Sequence, residues 1–215
     1  PYSYENGLGA EEVHIVAPEI SYGVLANTQV GLSLPLAAVH VAGATDWGLA
    51  GPRLFGSYNF NTDGRRLPAL AVRADLSLPL GDFGGDDPQI TLEGIATRGW
   101  GRTRLHFNGS VTLGDAADRP AVEAEPRWAL SLAGDYTFIR QSLLLVGELA
   151  LLEAAPDEPT EVAIAFGARY QLTPTIVFDA GVSRRLSADA GPDLGLNLGL
   201  SHAFAIAGLL PGRRR

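Results

Sequence analysis

Three polar residues of one alternating stretch, His106, Asn108 and Ser110 in LHFNGSV, most readily suggest covalent chemistry. A histidine base, an amide and a serine hydroxyl can run a hydrolysis if the hydroxyl lies within hydrogen-bond reach of the base. The spacing speaks against it. Residues two apart on a strand stand about 7 Å from one another, and His106 to Ser110 is about twice that. The other histidines, His14, His40 and His202, are scattered and show no metal-ligand spacing. Cysteine is absent, which removes thiolate ligands, disulfides and cysteine nucleophiles. The glycines of LGLNLGL (194–200) precede no helix, so they make no phosphate loop. Neither a cofactor, a metal nor an enzyme activity is expected from these residues.

The charges are more informative. Glu19, Arg53, Arg73, Asp75, Glu93, Asp135, Glu148, Arg169, Asp179 and Arg185, with His106 and Asn108, all fall on the polar side of alternating stretches. Their apolar counterparts stand on the other parity. Leu105, Phe107, Val111 and Leu113 oppose His106, Asn108, Ser110 and Thr112, and Leu194, Leu196, Leu198 and Leu200 oppose Gly195, Asn197, Gly199 and Ser201. Both signs of charge occur in similar numbers. Charges enclosed by a barrel pair across the lumen or line a wet path, and mixed signs favour pairing over a selectivity ring of one sign. Arg169 and Asp179 fall at the same level of neighbouring strands and are expected to pair. Leu144, Val146 and Val177 share the polar parity and would soften such a path toward aromatic or amphipathic solutes.

What must position these residues is a set of strands. Period-two alternation places them at 12–24, 28–38, 48–60, 67–79, 89–98, 103–113, 127–138, 143–153, 161–171, 175–186 and 194–204, and no helical periodicity competes. Most run about 10 to 13 residues, longer than the 5 or 6 usual in soluble sheets; a tilted membrane-crossing strand needs about 9–11. Short connections (25–27, 61–66, 99–102, 139–142, 172–174) alternate with longer ones (39–47, 81–88, 114–126, 154–160, 187–193). The longer ones are acidic, with Asp46, Asp82, Asp86, Asp87, Asp115, Asp118, Asp157, Asp189 and Asp193. Short turns at one end and long loops at the other are the arrangement of a bacterial outer-membrane barrel. Tyr22, Tyr58, Phe60, Trp100, Tyr136, Phe138 and Tyr170 all lie on the apolar parity close to the short turns, as an interfacial aromatic girdle would.

The expected fold is therefore all-β, an antiparallel up-and-down transmembrane barrel. Such barrels in bacteria have an even number of strands, and eleven are visible here. Loop alternation places the missing one before Glu12, which gives nominally twelve, with Pro1–Ala10 as the end of a long loop or of that strand and the strand's residues expected upstream of Pro1. Three regions result: an N-terminal segment 1–11 (a loop or the end of that strand), the barrel 12–204, and a basic tail 205–215. The net charge of −8 argues against a nucleic-acid partner.

PEISYGVLANTQVGLSLPL, LHFNGSV, VGEL around Glu148, FGARYQLTPTIVFDAGVSRRLS and the closing GLSHAF resemble, over most of residues 17–204, the outer-membrane transporter family of the phenol-degradation (MetA-pathway) type. The resemblance implies a twelve-stranded barrel in the bacterial outer membrane with a loosely defined transport role. Passive passage or binding of small solutes, some aromatic or amphipathic, is the function expected, with membrane lipid and a small solute as partners. The alternatives are a plugged barrel that packs against other envelope proteins and, behind it, an outer-membrane lipid hydrolase using the His106 stretch.

Overall fold

The computed structural model describes residues 2–7, 12–41, 43–114, 126–139, 142–153, 159–187 and 192–204. Every helix or strand among them is a strand: β1 (Tyr2–Gly7), β2 (Glu12–Val16), β3 (Glu19–Leu25), β4 (Thr28–Ser33), β5 (Leu36–Val41), β6 (Ala44–Leu49), β7 (Arg53–Asn61), β8 (Ala69–Ser77), β9 (Gln89–Trp100), β10 (Thr103–Leu113), β11 (Trp128–Ile139), β12 (Leu143–Glu153), β13 (Glu161–Gln171), β14 (Ile176–Arg185) and β15 (Pro192–His202). All pairings are antiparallel.

The fifteen segments are twelve strands, because prolines interrupt three of them. β2 leads into β3 through Ala17 and Pro18, β4 into β5 through Leu34 and Pro35, and β6 into β7 through Ala50, Gly51 and Pro52. A proline has no N–H for the ladder, so a strand bends or breaks there. Each proline carbonyl still accepts from the neighbouring strand: Leu34 N–H to Pro18 at 3.0 Å, Ala50 N–H to Pro35 at 2.9 Å, Leu78 N–H to Pro52 at 2.9 Å. The first hairpin keeps one register across its break, with Glu12 opposite His40 and Glu19 opposite Ser33. The next strand slips by one residue, Arg53 facing Ser33 but Leu49 facing Leu36, which marks a bulge at Ala50–Pro52.

The ring returns to its start. β1 lies between β15 and β2, with Tyr2 opposite both Leu198 and Val16, and the remaining strands pair in chain order from β7 to β15. Tyr2–Gly7 supplies the twelfth strand, which corrects the expectation that its residues lie upstream of Pro1 with 1–11 only a loop or its end. β1 reaches only as far as Leu198 on β15. Beyond it, Gly199–His202 of β15 and Glu19–Leu25 of β3 have no strand between them among the described residues.

One expected loop is corrected. Residues 39–47 do not form a long connection: β5 continues to Val41, the chain turns at Gly43 with φ 87°, and β6 begins at Ala44. Alternation extends through Val39 and Val41, and a glycine supplies the left-handed residue a tight turn needs. The connection after β8 folds back on the wall, the Phe83 and Gly51 amides bonding Leu49 and Leu80 carbonyls at 3.2 and 3.1 Å. Most of the loops at 114–126, 154–160 and 187–193, with Asp115, Asp118, Asp157 and Asp189, and the tail 205–215 lie outside the described residues.

The molecule is apolar on the outside. Among the described residues the buried apolar ones are Ala37, Ala38, Ala50, Phe55 and Ala133, whereas Leu54, Phe107, Leu132, Leu149, Phe166, Val182 and Leu198 are all exposed. A water-soluble sandwich or barrel buries its large apolar side chains. This one presents them outward around the ring, and exposed apolar area of that extent marks a surface made for a nonaqueous neighbour.

Candidate functional site: the lumen

Alternation turns the polar residues of each strand inward, and register then decides which of them meet. On β8, Arg73 and Asp75 share the inward face two residues apart. Arg73 closes a bidentate pair on Asp75, Nε to Oδ2 and Nη2 to Oδ1, both at 2.7 Å. Glu93 stands directly opposite Arg73 on β9. The Arg73 guanidinium lies 4.1 Å from the centroid of the Phe55 ring, a cation–π stack. Phe55 points inward because Gly31 makes room: a Cβ on Gly31 would collide with that ring.

A second cluster is built on Asp135, which is only 4% exposed. Arg104 brackets it, Nη2 to Oδ2 at 2.7 Å and Nε to Oδ1 at 3.2 Å. His106 Nε2 meets Asp135 Oδ2 at 2.9 Å, and its Nδ1 meets Thr97 Oγ1 at 2.9 Å. Both ring nitrogens of His106 are therefore engaged, and Ser110 gains no base from it. Asn108 sits opposite Ser131 and donates to its hydroxyl at 3.4 Å.

Two further pairs lie on β13 and β14. Arg169 faces Asp179 in register and bonds it, Nε to Oδ1, at 2.6 Å, the pair expected from their shared level. Arg185 Nη2 meets Glu161 Oε2 at 2.9 Å with both side chains largely buried, 12% and 5% exposed. Arg53 on β7 and Glu93 each have an interacting neighbour. Glu19 is exposed at the edge of β3. Glu148 is half-buried on β12 with Ala133 and Ala165 opposite, and no side chain among the described residues bonds it. Among the described residues no group of three or more His, Asp or Glu is placed to hold a metal ion.

A cavity of about 1100 Å³ adjoins the Asp135 cluster. Its wall includes the inward Arg104, His106, Asp135, Leu144, Val146, Arg169 and Asp179, and through the unpaired stretches of β3 and β15 at Glu19–Ser21 and Gly199–His202 it reaches the outward Ile20, Phe166, Val182, Leu198 and Leu200. Thr97, Arg104, Glu161 and Phe55 are among the inward residues that escaped the sequence reading. Parity alone places Arg104 with His106 and Glu161 with Arg169. Phe55 is different, since an inward aromatic needs the gap that Gly31 leaves on the next strand.

All seven aromatics expected near the short turns are exposed on the outer face: Tyr22, Tyr58, Phe60, Trp100, Tyr136, Phe138 and Tyr170. Tyr58 and Phe60 meet edge to face at 5.1 Å. Arg98 reaches down to the same level, bonding the Gly64 and Arg65 carbonyls at 2.6 and 3.0 Å. Two tryptophans stand at the opposite end: Trp47, 74% exposed, and Trp128, whose indole N–H donates to Glu153.

Twelve antiparallel strands, an apolar exterior and a polar, ion-paired interior define the outer-membrane type of β-barrel. No protein-family model matches the sequence, and no curated protein matches it either. Solved structures do match the fold. The COG4313 outer membrane channel from Pseudomonas putida F1 aligns with a TM-score of 0.67 at 15% identity, covering 94% of this chain and 92% of that one. The KdgM porin in complex with disordered oligogalacturonate aligns with a TM-score of 0.59 at 14% identity, covering 95% and 98%.

Proposed function

We propose that this protein is a bacterial outer-membrane channel for the passive passage of small solutes. The observation that carries the proposal is the inverted surface, apolar outside and charged inside, around a cavity of about 1100 Å³. The lumen-lining set is Glu19, Arg53, Arg73, Asp75, Glu93, His106, Asn108, Asp135, Glu148, Arg169, Asp179 and Arg185, extended by Arg104 and Glu161. The seven outward aromatics near the short turns rest at one lipid–water interface, where amphipathic rings prefer to sit. Leu144, Val146 and Val177 give one wall of the path an apolar character that suits aromatic or amphipathic solutes. That reading agrees with the resemblance to the phenol-degradation transporter family. The KdgM porin holds an oligogalacturonate; binding of a small solute is proposed here too, without covalent catalysis.

The ion pairs across neighbouring strands support a second reading, a plugged barrel with an anchoring role, because paired charges can fill a lumen as well as line one. Planar-bilayer recording separates the two. The channel reading predicts discrete conductance steps after insertion of the purified protein. A trace that stays closed at every voltage and salt concentration would support the plug.

A further inference from the structure

We propose that Glu148 and the small apolar residues around it form a binding site for an organic cation, an ammonium group carrying an apolar body. The inference rests on the channel reading and names the solute class of its lumen. Its origin is an imbalance of partners. Arg73, Arg104, Arg169 and Arg185 each contact a carboxylate, Asp75, Asp135, Asp179 and Glu161 respectively. Glu148 contacts no arginine. Across the strand it faces Ala133 and Ala165, and two residues along its own strand stand Val146 and Ala150. None of these side chains can donate a hydrogen bond.

An unpaired carboxylate is tolerated away from bulk solvent only if water or a cation reaches it. Asp135, the nearest carboxylate by register, is diagonal to Glu148 and already holds Arg104 and His106. The space in front of Glu148 thus carries an unbalanced negative charge above an apolar floor. Val146 and Ala165, the neighbours of Glu148, line the cavity of about 1100 Å³, so a ligand body held there has room next to the charge.

Other solute classes fit less well. A divalent metal wants six or more oxygen ligands, or nearly ideal octahedral geometry, and alanine and valine supply none. An anionic solute would meet an interior in which acids outnumber bases. The inward acids are Glu19, Asp75, Glu93, Asp135, Glu148, Glu161 and Asp179, and the inward bases Arg53, Arg73, Arg104, Arg169 and Arg185, a difference of two among the described residues. A neutral apolar solute would use the floor and gain nothing from the carboxylate.

The test measures block of the potassium current through single channels by benzylammonium, benzyl alcohol and benzoate. Benzylammonium is expected to interrupt the current at concentrations where the other two do not. Glu148→Gln should raise its half-blocking concentration about tenfold, the worth of one hydrogen bond to a charged group, with block read as a fraction of that variant's own open-channel current. Glu148→Asp should retain the block, and heat-dependent gel mobility establishes that both variants are folded. Equal block by benzyl alcohol, stronger block by benzoate, or block indifferent to Glu148→Gln overturns the proposal while leaving the channel intact. A bilayer without any conductance removes the channel reading and this site with it.

Discussion

Glu161→Ala is expected to destabilise the folded barrel by about 3–5 kcal/mol, the usual cost of removing one partner from a buried ion pair. Glu161 and Arg185 hold each other at 2.9 Å with little exposure on either side. Among the described residues Arg185 Nη1 has no hydrogen-bond partner. Loss of the carboxylate would leave a guanidinium enclosed by the wall with nothing to balance it. The joint replacement Glu161→Leu with Arg185→Leu should cost far less, because neither member is left stranded. Equilibrium unfolding in lipid vesicles, followed by tryptophan fluorescence or gel mobility, reads both. A single-variant loss below about 1 kcal/mol would mean that the pair is solvated like a surface salt bridge.

The second large effect concerns the opposite face. Leu132 sits in the middle of β11, flanked in register by Phe107 and Leu149, and all three are exposed outward. If lipid covers them, Leu132→Arg should cost about 2–4 kcal/mol, while the same change at Phe138 near the short turn should cost about 0–1, since the penalty falls with distance from the bilayer midplane. In water neither position would resist a charge. Comparable stabilities for the two variants in vesicles would place the outer face in water.

Strand parity was legible in the sequence because it is a local property, repeated over ten or more residues in most strands. The inward polar residues and the outward aromatics follow from it, and so does the Arg169–Asp179 pair, whose partners lie across one four-residue turn. What was not legible depends on register or on distant partners. Tyr2–Gly7 is six residues of mixed character, with a glycine and an asparagine, and its partner on one side lies near residue 195. No local pattern announces it. The breaks at Pro18, Pro35 and Pro52 could have been drawn from the missing N–H groups alone. The role of Arg104, by contrast, became visible only when β10 and β11 were aligned so that Asp135 stood opposite it.

The mixed charges also read differently once paired. In sequence they suggested either a plug or a path. In space the arginines mostly bind carboxylates on their own or a neighbouring strand, so these contacts secure the wall rather than cross the opening. Arg73–Asp75 lies within β8, Arg104–Asp135 joins β10 to β11, and Arg169–Asp179 joins β13 to β14. Pairs arranged along the wall balance the charge that is buried there.

The central claim, lipid outside and water inside, is tested most directly by cysteine scanning along β11, since the chain contains no cysteine of its own. Each of residues 130–137 is replaced singly by Cys, and the protein in lipid vesicles is treated with a membrane-impermeant thiol reagent. Ser131→Cys and Thr137→Cys should be modified while Leu130→Cys and Leu132→Cys are spared, with the buried Ala133 position protected by the wall. Uniform protection of the inward positions, or modification of the outward ones, would contradict the account.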